Sequence, residues 1–363
     1  MKRFLVRRAA TALAVVVALS ALCFALLDLA PGSPAASVLE ARSGGRPPSA
    51  ADVARLEREM GLDDPLPVRY GRWVADAVRG DFGVSYGSGR PVSEIIAETA
   101  PWTALLTAVA MVFSVAGAIA VGLAAALTRR AWARRAIETA LFALGGMPGF
   151  VTALLLLWIF AAWLQVLPSG GLNRPGEPIT AGVLIPHLIL PALALSFGHH
   201  FGTYARLVQT GVGRLRGAPH VANARARGLA RRTVTARHLL RPGLVPFAAR
   251  LGVGVGGLIA GAYATEMIFS WPGVGRQTIL AAQKEDYPVL AALVLVAGVV
   301  VVAANLLGDL AVAWLDPRVR LSGAAPGSPP GGTPGSPPGG GVPETAATPS
   351  GPVSSGKAAD ALH

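Results

Sequence analysis

The stretch at residues 99–128, "TAPWTALLTAVAMVFSVAGAIAVGLAAALT", contains no Asp, Glu, Lys or Arg. A helix needs about 20 apolar residues to cross the hydrocarbon core of a bilayer, so this stretch is long enough to do so. Inside lipid the backbone must satisfy its own hydrogen bonds, and a helix does this within a single segment. The stretch therefore predicts a membrane-spanning helix and an all-α integral membrane protein.

Charge-free runs of the same kind recur on both sides of this stretch. The run at 251–265 is short, but it extends back to Pro242 if Arg250 lies near a helix end. Together with 99–128 the runs predict six membrane spans, and the other five lie at residues 9–27, 139–173, 178–205, 251–265 and 287–308. The first run follows Lys2, Arg3, Arg7 and Arg8, as in a signal peptide. It exceeds the usual 7–15 apolar residues of such peptides, so we expect a retained helix.

The composition agrees with a membrane protein. Of 363 residues, 52% are hydrophobic and 14% are charged, whereas soluble domains carry about 25% charged residues. The net charge of +12 would suggest nucleic-acid binding in a soluble protein. In a membrane protein it more often reflects arginines held on the cytoplasmic side. Cys23 is the only cysteine, which excludes an internal disulfide and a multi-thiolate metal site.

The arginines predict an orientation with both termini inside. Basic clusters precede the first span and follow the second and fourth, whereas residues 31–98 are nearly balanced in charge. The predicted domains are a first transmembrane helix at 1–30, an external segment with short helices at 31–98, and a five-helix membrane domain at 99–320. This last domain includes a cytoplasmic loop at 206–241. A Pro/Gly/Ser-rich tail at 321–363 lacks core-forming residues and is predicted to be disordered.

Two helix boundaries are readable in the external segment. Ser49 and Asp52 form a capping pattern at the start of one helix, which should stop at Gly61. Gly80 marks the end of the next helix. We expect these helices to pack on the membrane domain, and contact with an external partner stays open as the alternative.

A few residues inside or beside the spans could line a path. Gly145 and Pro148 belong to "GGMPGF", which should interrupt the third span and require neighbouring helices to satisfy its backbone. Ionisable groups in a bilayer are functional candidates by default, which singles out His187 and Glu266. The adjacent pair His199 and His200 is a weak indication of metal, and we predict no metal site.

The most basic part of the chain is the predicted cytoplasmic loop. Between Glu177 and Glu266 the chain contains no Asp or Glu. Ten arginines lie within this stretch from the start of the loop onward, at positions 206, 214, 216, 225, 227, 231, 232, 237, 241 and 250. Pro219 suits the first turn of a helix and Gly228 suits its end, and a second helix should stop at Pro242. A DNA-reading motif would have this charge, but the flanking spans leave it little freedom to enter a groove. Lipid attraction accounts for some arginines, yet it does not explain the small residues at 222, 223, 224, 226 and 228, which suggest docking into a groove on a partner.

The loop "HVANARARGLARRTVTARHLLRPGLVP" (220–246) resembles the cytoplasmic coupling loop of ATP-binding-cassette (ABC) importer permeases. In that motif Glu-Ala-Ala is followed after three residues by Gly, and the matching positions here are Ala222, Asn223, Ala224 and Gly228. The motif's glutamate is replaced by Ala222, and in this the chain resembles the dipeptide/oligopeptide/nickel subfamily, where that position is commonly not acidic. Further stretches resemble this subfamily: "DLAPGSPA", "GLDDPLPVRYGRWVADAVRGDFGVS", "EMIFSWPGVGR", "DYPVL" and "LDPRVR".

The resemblance implies a six-transmembrane-helix type I ABC importer permease fold in a prokaryotic cytoplasmic membrane. It implies four partner subunits of three kinds: a second homologous permease, two ABC ATPase subunits and an external substrate-binding protein or lipoprotein. Membrane lipids would also be partners, and nucleic acid would not. The implied ATPase-coupling residues are Pro219, Val221, Ala222, Asn223, Ala224, Arg225, Gly228 and Leu229. Possible pathway or mouth residues are Gly145, Pro148, Glu266, Ser270, Trp271, Pro272 and Gly273, with a turn favoured at the Pro-Gly pair.

No catalytic residues are predicted. The chain lacks the GxxxxGK[ST] phosphate loop, so ATP and Mg²⁺ are expected on the partner ATPases and no cofactor on this chain. The implied cargo is a peptide or a related small solute such as a nickel complex or glutathione. A secondary transporter working without an ATPase stays open as the alternative, although it would need coupling-ion sites and these spans are poor in acids. A membrane-anchored nucleic-acid or regulatory protein would rest on the basic loop alone.

Overall fold

The computed structural model describes residues 2–29, 33–43, 48–59, 63–198 and 200–315. This part of the chain is helical, and its one isolated β-bridge joins Val84 to Pro91. Two segments, Leu157–Trp163 and Val234–Leu240, are π-helical. The α-helices are α1 (Lys2–Asp28), α2 (Pro34–Arg42), α3 (Ala50–Glu59), α4 (Leu66–Val78), α5 (Val92–Leu127), α6 (Ala131–Gly146), α7 (Gly149–Leu156), α8 (Ala181–Phe197), α9 (Phe201–Leu215), α10 (Pro219–Ala226), α11 (Arg231–Thr233), α12 (Arg241–Gly243), α13 (Val245–Ile268), α14 (Val274–Gln283) and α15 (Tyr287–Leu315).

Within the described ranges, α1, α5 and α15 are each long and apolar enough to cross a membrane. Two bent pairs, α6 with α7 at 113° and α8 with α9 at 62°, would raise the number of spans to five. The remaining predicted span falls on α13, which has 24 residues. The all-α prediction is confirmed for this part of the chain, while the count of six and the orientation stay predictions. The predicted tail at 321–363, His199 and the helix end at Gly61 lie outside the described residues.

Two helices extend beyond the charge-free runs that predict the spans, because charged residues do not end a helix. α5 begins at Val92, ahead of the charge-free run. α9 continues to Leu215, so Arg206 and Arg214 lie on a helix. Arginine is a good helix former, and burial of one face keeps the extension packed. Residues 206–215 of the predicted loop 206–241 therefore belong to α9.

The membrane helices approach one another closely at glycines. α5 packs along α9 at Gly122, where a Cβ atom would overlap the carbonyl oxygen of Ala205. α1 packs along α15, where Gly298 leaves room for Leu19, and Cys23 is fully buried nearby. Small residues allow such contacts between membrane helices, which gain most of their attraction from packing. The first helix is thus an integral part of the helical packing, as expected for a retained span.

Helix α4 of the predicted external segment is tied to α1. Arg69 of α4 forms a 2.7 Å ion pair with Asp28, and the hydroxyls of Tyr70 and Ser20 lie 2.7 Å apart. α3 begins with the predicted cap, since the Asp52 N–H donates to Ser49 Oγ at 3.2 Å. The packing of α4 on the membrane domain confirms the expectation for that helix.

The predicted interruption of the third span is confirmed. α6 ends at Gly146 and α7 starts at Gly149, with Met147 and Pro148 forming the break. The break packs against the bend between α8 and α9, because Gly198 allows the Gly149 backbone to approach it. The two helix interruptions therefore contact each other, although Pro148 is exposed.

Candidate functional sites

α10, the first helix of the basic loop, is anchored by one face. Val221 is fully buried and Ala224 is 4% exposed. They belong to one apolar cluster with Val208 of α9 and with Val234 and Leu239 of the following π-helix. An i, i+3 pair lies on one side of a helix, so two small anchors fix the orientation of α10. α10 is therefore packed against α9 through this cluster, and α9 packs against α5 at Gly122.

The opposite face of α10 is exposed. Ala222, Asn223, Arg225 and Ala226 are all exposed. The small residues that indicate docking are therefore Ala222, Asn223 and Ala226. Ala224 had been predicted among the docking residues, but its side chain points into the chain's own core. The buried and exposed faces of α10 cannot be distinguished from the sequence, because both carry small side chains.

Gly228 ends α10 as predicted. Its φ is +72°, a conformation that favours glycine. The Gly228 N–H donates to the Arg225 carbonyl at 2.9 Å, and the Leu229 N–H donates to the Ala224 carbonyl at 3.3 Å. This pair of bonds is the Schellman motif, which satisfies the last carbonyls of a helix. Leu229 follows it with 39% of its surface exposed.

The second arm of the loop differs from its prediction. Pro242 does not end a helix but lies in the first turn of α12, where a missing N–H costs nothing. The arm is mainly π-helical over Val234–Leu240. It returns to α9 at Gly211 and Gly243, where a Cβ atom on Gly211 would overlap the Gly243 carbonyl oxygen. This backbone contact is the second place at which the loop packs against α9.

The second candidate site is the turn between α13 and α14, centred on Glu266. This residue is fully buried at the end of α13. Its Oε2 accepts a 3.0 Å hydrogen bond from the Arg276 N–H, and its Oε1 accepts a 2.6 Å bond from the Thr103 hydroxyl. Arg276 lies in the first turn of α14, where backbone N–H groups lack helical partners and negative charge is favoured. Glu266, a residue of α13, thus caps the N-terminus of α14.

Thr103 of α5 completes this cap. Its Oγ1 accepts a 2.8 Å hydrogen bond from the Val274 N–H, which can only donate. The hydroxyl proton must therefore point to Glu266, so both carboxylate oxygens act as acceptors. No local sequence pattern indicates Thr103, because it lies 163 residues from its partner.

Gly273 and Trp271 each make a close contact in the turn between α13 and α14. A Cβ atom on Gly273 would overlap the Glu266 carboxylate. Trp271 is fully buried and donates its indole N–H to the Trp102 carbonyl at 3.0 Å. Since Glu266, Trp271 and Gly273 are buried, their positions here do not support the prediction that they line a path; their contacts hold the turn. Ser270 is exposed and Pro272 is half-buried beside them.

The chain reverses at Ser270 rather than at the predicted Pro-Gly pair. Ser270 has φ +50° and Glu285 has φ +56°. Each follows a helix end with the same two hydrogen bonds that surround Gly228, for example Trp271 N–H to the Glu266 carbonyl at 2.8 Å. Non-glycine residues rarely adopt this conformation, and when they do it requires strong support from their surroundings. A strained residue therefore lies on each side of α14. Since neither residue is a glycine, the usual sequence signal for a helix end does not indicate them.

Asp286, directly after the second of these residues, fixes the external loop before α5. It accepts hydrogen bonds from the Ser85 hydroxyl at 2.5 Å and from the Tyr86 N–H at 3.1 Å. Burial, and secondarily the charge of Asp286, raises the pKa of Tyr86 to about 12. The Tyr86 phenol therefore stays neutral across physiological pH.

The remaining pathway candidates are dispersed. Gly145 and Pro148 are exposed at the break between α6 and α7. His187 is 6% exposed, and its Nδ1 lies 2.8 Å from the Val183 carbonyl oxygen of the preceding turn. The structure does not bring these residues together with Glu266 into one cavity among the residues it describes.

These features define an all-helical membrane protein with a helical loop that is anchored on one face and open on the other. Family models match residues 1–107, "Binding-prot-dependent transport system membrane comp, N-term", and residues 118–321, "Binding-protein-dependent transport system inner membrane component". The chain belongs to this family: it is a permease subunit of an ABC importer with the type I importer fold, and a multi-pass plasma-membrane protein.

Full-length relatives agree with this family. The chain is 32% identical over 340 residues to a dipeptide transport system permease protein of Alkalihalophilus pseudofirmus, covering 88% of this chain and 100% of the relative. It is 33% identical over 335 residues to an oligopeptide transport system permease protein of Mycobacterium tuberculosis, covering 89% and 100%. An oligopeptide permease protein of Bacillus subtilis is 30% identical over 320 residues, covering 88% and 99%.

Proposed function

We propose that this permease carries peptides and that the outer face of α10 couples it to a separate ATPase. The names of its full-length relatives, which are dipeptide and oligopeptide permeases, support the choice of peptides. Nickel complexes and glutathione remain chemically related alternatives without a structural feature in their favour. Uptake of a labelled oligopeptide into proteoliposomes, with unlabelled peptide, nickel complex and glutathione as competitors, would decide among them.

The single observation that carries the coupling proposal is the two-sided burial of α10. Its inner side, Val221 and Ala224, is packed into the core, and its outer side, Ala222 and Ala226, is small and exposed. Small side chains let two backbones approach closely, so this face fits a cleft on a partner. The inner side and the contact between Gly211 and Gly243 pass movement of the partner to α9.

The proposed assembly follows from the membership in an importer family. It contains this chain, a second homologous permease that forms the other half of the pathway, two ABC ATPase subunits and an external substrate-binding protein or lipoprotein. ATP and Mg²⁺ bind to the ATPases, since this chain has no phosphate-binding loop of the GxxxxGK[ST] type. This chain would contribute the path and the coupling helix, and no chemistry.

Co-purification of the ATPase with the permease tests the coupling surface. Ala222→Phe places a bulky side chain on the outer face of α10, and Ala236→Phe places the same side chain on the exposed surface of the second arm. We expect the first variant to lose the ATPase and ATP-dependent uptake while it keeps the thermal stability of the wild type. The second variant should keep both. Uptake that continues without any ATPase, or equal loss of the ATPase in both variants, would contradict the proposal.

A further inference from the structure

A cleft of about 550 Å³ lies between the end of α5 and the basic loop. This volume falls within the range of small-molecule sites, roughly 300–1,000 Å³. Four arginines lie in its wall, from three different parts of the chain: Arg129 after α5, Arg216 after α9, and Arg225 and Arg231 of the loop. Its other lining residues are Leu127, Gly217, Leu229, Val234, Thr235 and Leu239.

The part of the chain that the structure describes does not neutralise the positive charge in this cleft. No Asp or Glu is among its lining residues, and none of the four arginines forms an ion pair with another described residue. Arg216 is held in place by a 2.5 Å hydrogen bond to the Ala126 carbonyl oxygen. Four guanidinium groups around one cavity repel one another unless an anion lies between them, and guanidinium matches phosphate and carboxylate geometry.

The position of the cleft indicates which anion it receives. α5 is one of the three helices apolar enough to cross the membrane, and it ends at Leu127, two residues before Arg129. The cleft therefore begins at the end of an apolar helix that is long enough to span the membrane. Its wall combines the four arginines with Leu127, Leu229, Val234 and Leu239. A ligand with an anionic head and an apolar tail satisfies both parts of this wall, whereas a free inorganic anion would use only the arginines.

We infer that this cleft binds the phosphate group of an anionic phospholipid, with the acyl chains directed toward the bilayer at Leu127. Basic pockets between membrane helices recognise headgroups in this way. A bound lipid would bridge the end of α5 to the start of α11, and so would hold the loop in the position from which α10 reaches its partner. This inference concerns a cleft that α10 lines only through Arg225, and it does not depend on which solute is transported.

The test uses the full chain, purified with its associated subunits in an uncharged detergent, and measures binding by calorimetry. The probes are dihexanoyl phosphatidic acid, the zwitterionic dihexanoyl phosphatidylcholine and inorganic phosphate. The cleft variant is Arg129→Gln with Arg231→Gln. Its matched control is Arg130→Gln with Arg232→Gln, which removes two exposed arginines at the adjacent positions, neither of which lines the cleft.

Phosphatidic acid should bind saturably to the wild type and the control, and about thirtyfold more weakly to the cleft variant, at roughly fivefold for each arginine. If the double variant does not fold, Arg129→Gln alone should weaken binding about fivefold. An equal loss in the control would mean diffuse attraction to the whole loop, and would overturn the inference. Phosphatidylcholine or inorganic phosphate binding as tightly as phosphatidic acid would also overturn it. The inference would also be overturned if the cleft variant still bound phosphatidic acid but no longer co-purified with the ATPase. The cleft would then bind an acidic surface of the partner protein.

Discussion

The strongest prediction concerns Glu266, because its burial and contacts assign it a structural role. Glu266→Gln keeps the size of the side chain but replaces one acceptor oxygen by a donor group. Since Thr103 and the Arg276 N–H both donate to the carboxylate, one buried donor is left without an acceptor, which costs about 1–3 kcal/mol. Glu266→Ala leaves both donors unsatisfied and should cost about 2–6 kcal/mol. Against a typical stability of about 5–15 kcal/mol, the alanine variant should be severely destabilised.

Thermal unfolding of the purified protein in detergent measures these effects. Glu285→Gln is the matched control, since that residue is exposed at the other end of α14, and its change should be within about 0.5 kcal/mol. Thr103→Val breaks the same network, so its effect should not add to that of Glu266→Gln, with a coupling energy of about 0.5–3 kcal/mol. If Glu266→Gln is as stable as Glu285→Gln and yet abolishes uptake, the carboxylate acts on the transported solute and the capping role is refuted.

Two further predictions concern the left-handed residues at helix ends. Gly228→Ala should destabilise the loop by about 1–2 kcal/mol, measured by thermal unfolding, because its φ is +72° while no atom lies within 4 Å of the added Cβ. Gly213→Ala, at an equally open site within α9, should instead stabilise by up to about 1 kcal/mol, and equal effects of the two would contradict the backbone explanation. Ser270→Gly should raise the unfolding temperature, since it removes a strain of about 1–2 kcal/mol and loses roughly half of that gain to chain entropy. A lower unfolding temperature would show that the serine side chain stabilises the turn.

The sequence predicted the features that depend on near neighbours along the chain. Charge-free runs located the apolar helices, and the break at Met147 and Pro148 followed from residues that interrupt helical hydrogen bonding. Gly80 and Gly228 both end helices with positive φ, at +85° and +72°. Helix ends without such residues were predicted poorly. α9 continues beyond the charge-free run because arginine is compatible with a helix.

The tertiary structure alone decided how these helices are held and which of their faces are used. Thr103 and Glu266 share one helix cap although 163 residues separate them, and no local pattern indicates such a pair. Burial of Ala224 and exposure of Ala222 depend on where α9 and the π-helix lie, since both residues are equally small. Arg129 and Arg231 meet in one cleft because α5 ends beside the loop. A sequence records which helices form, through interactions over three or four residues, whereas packing between helices fixes which side chains meet.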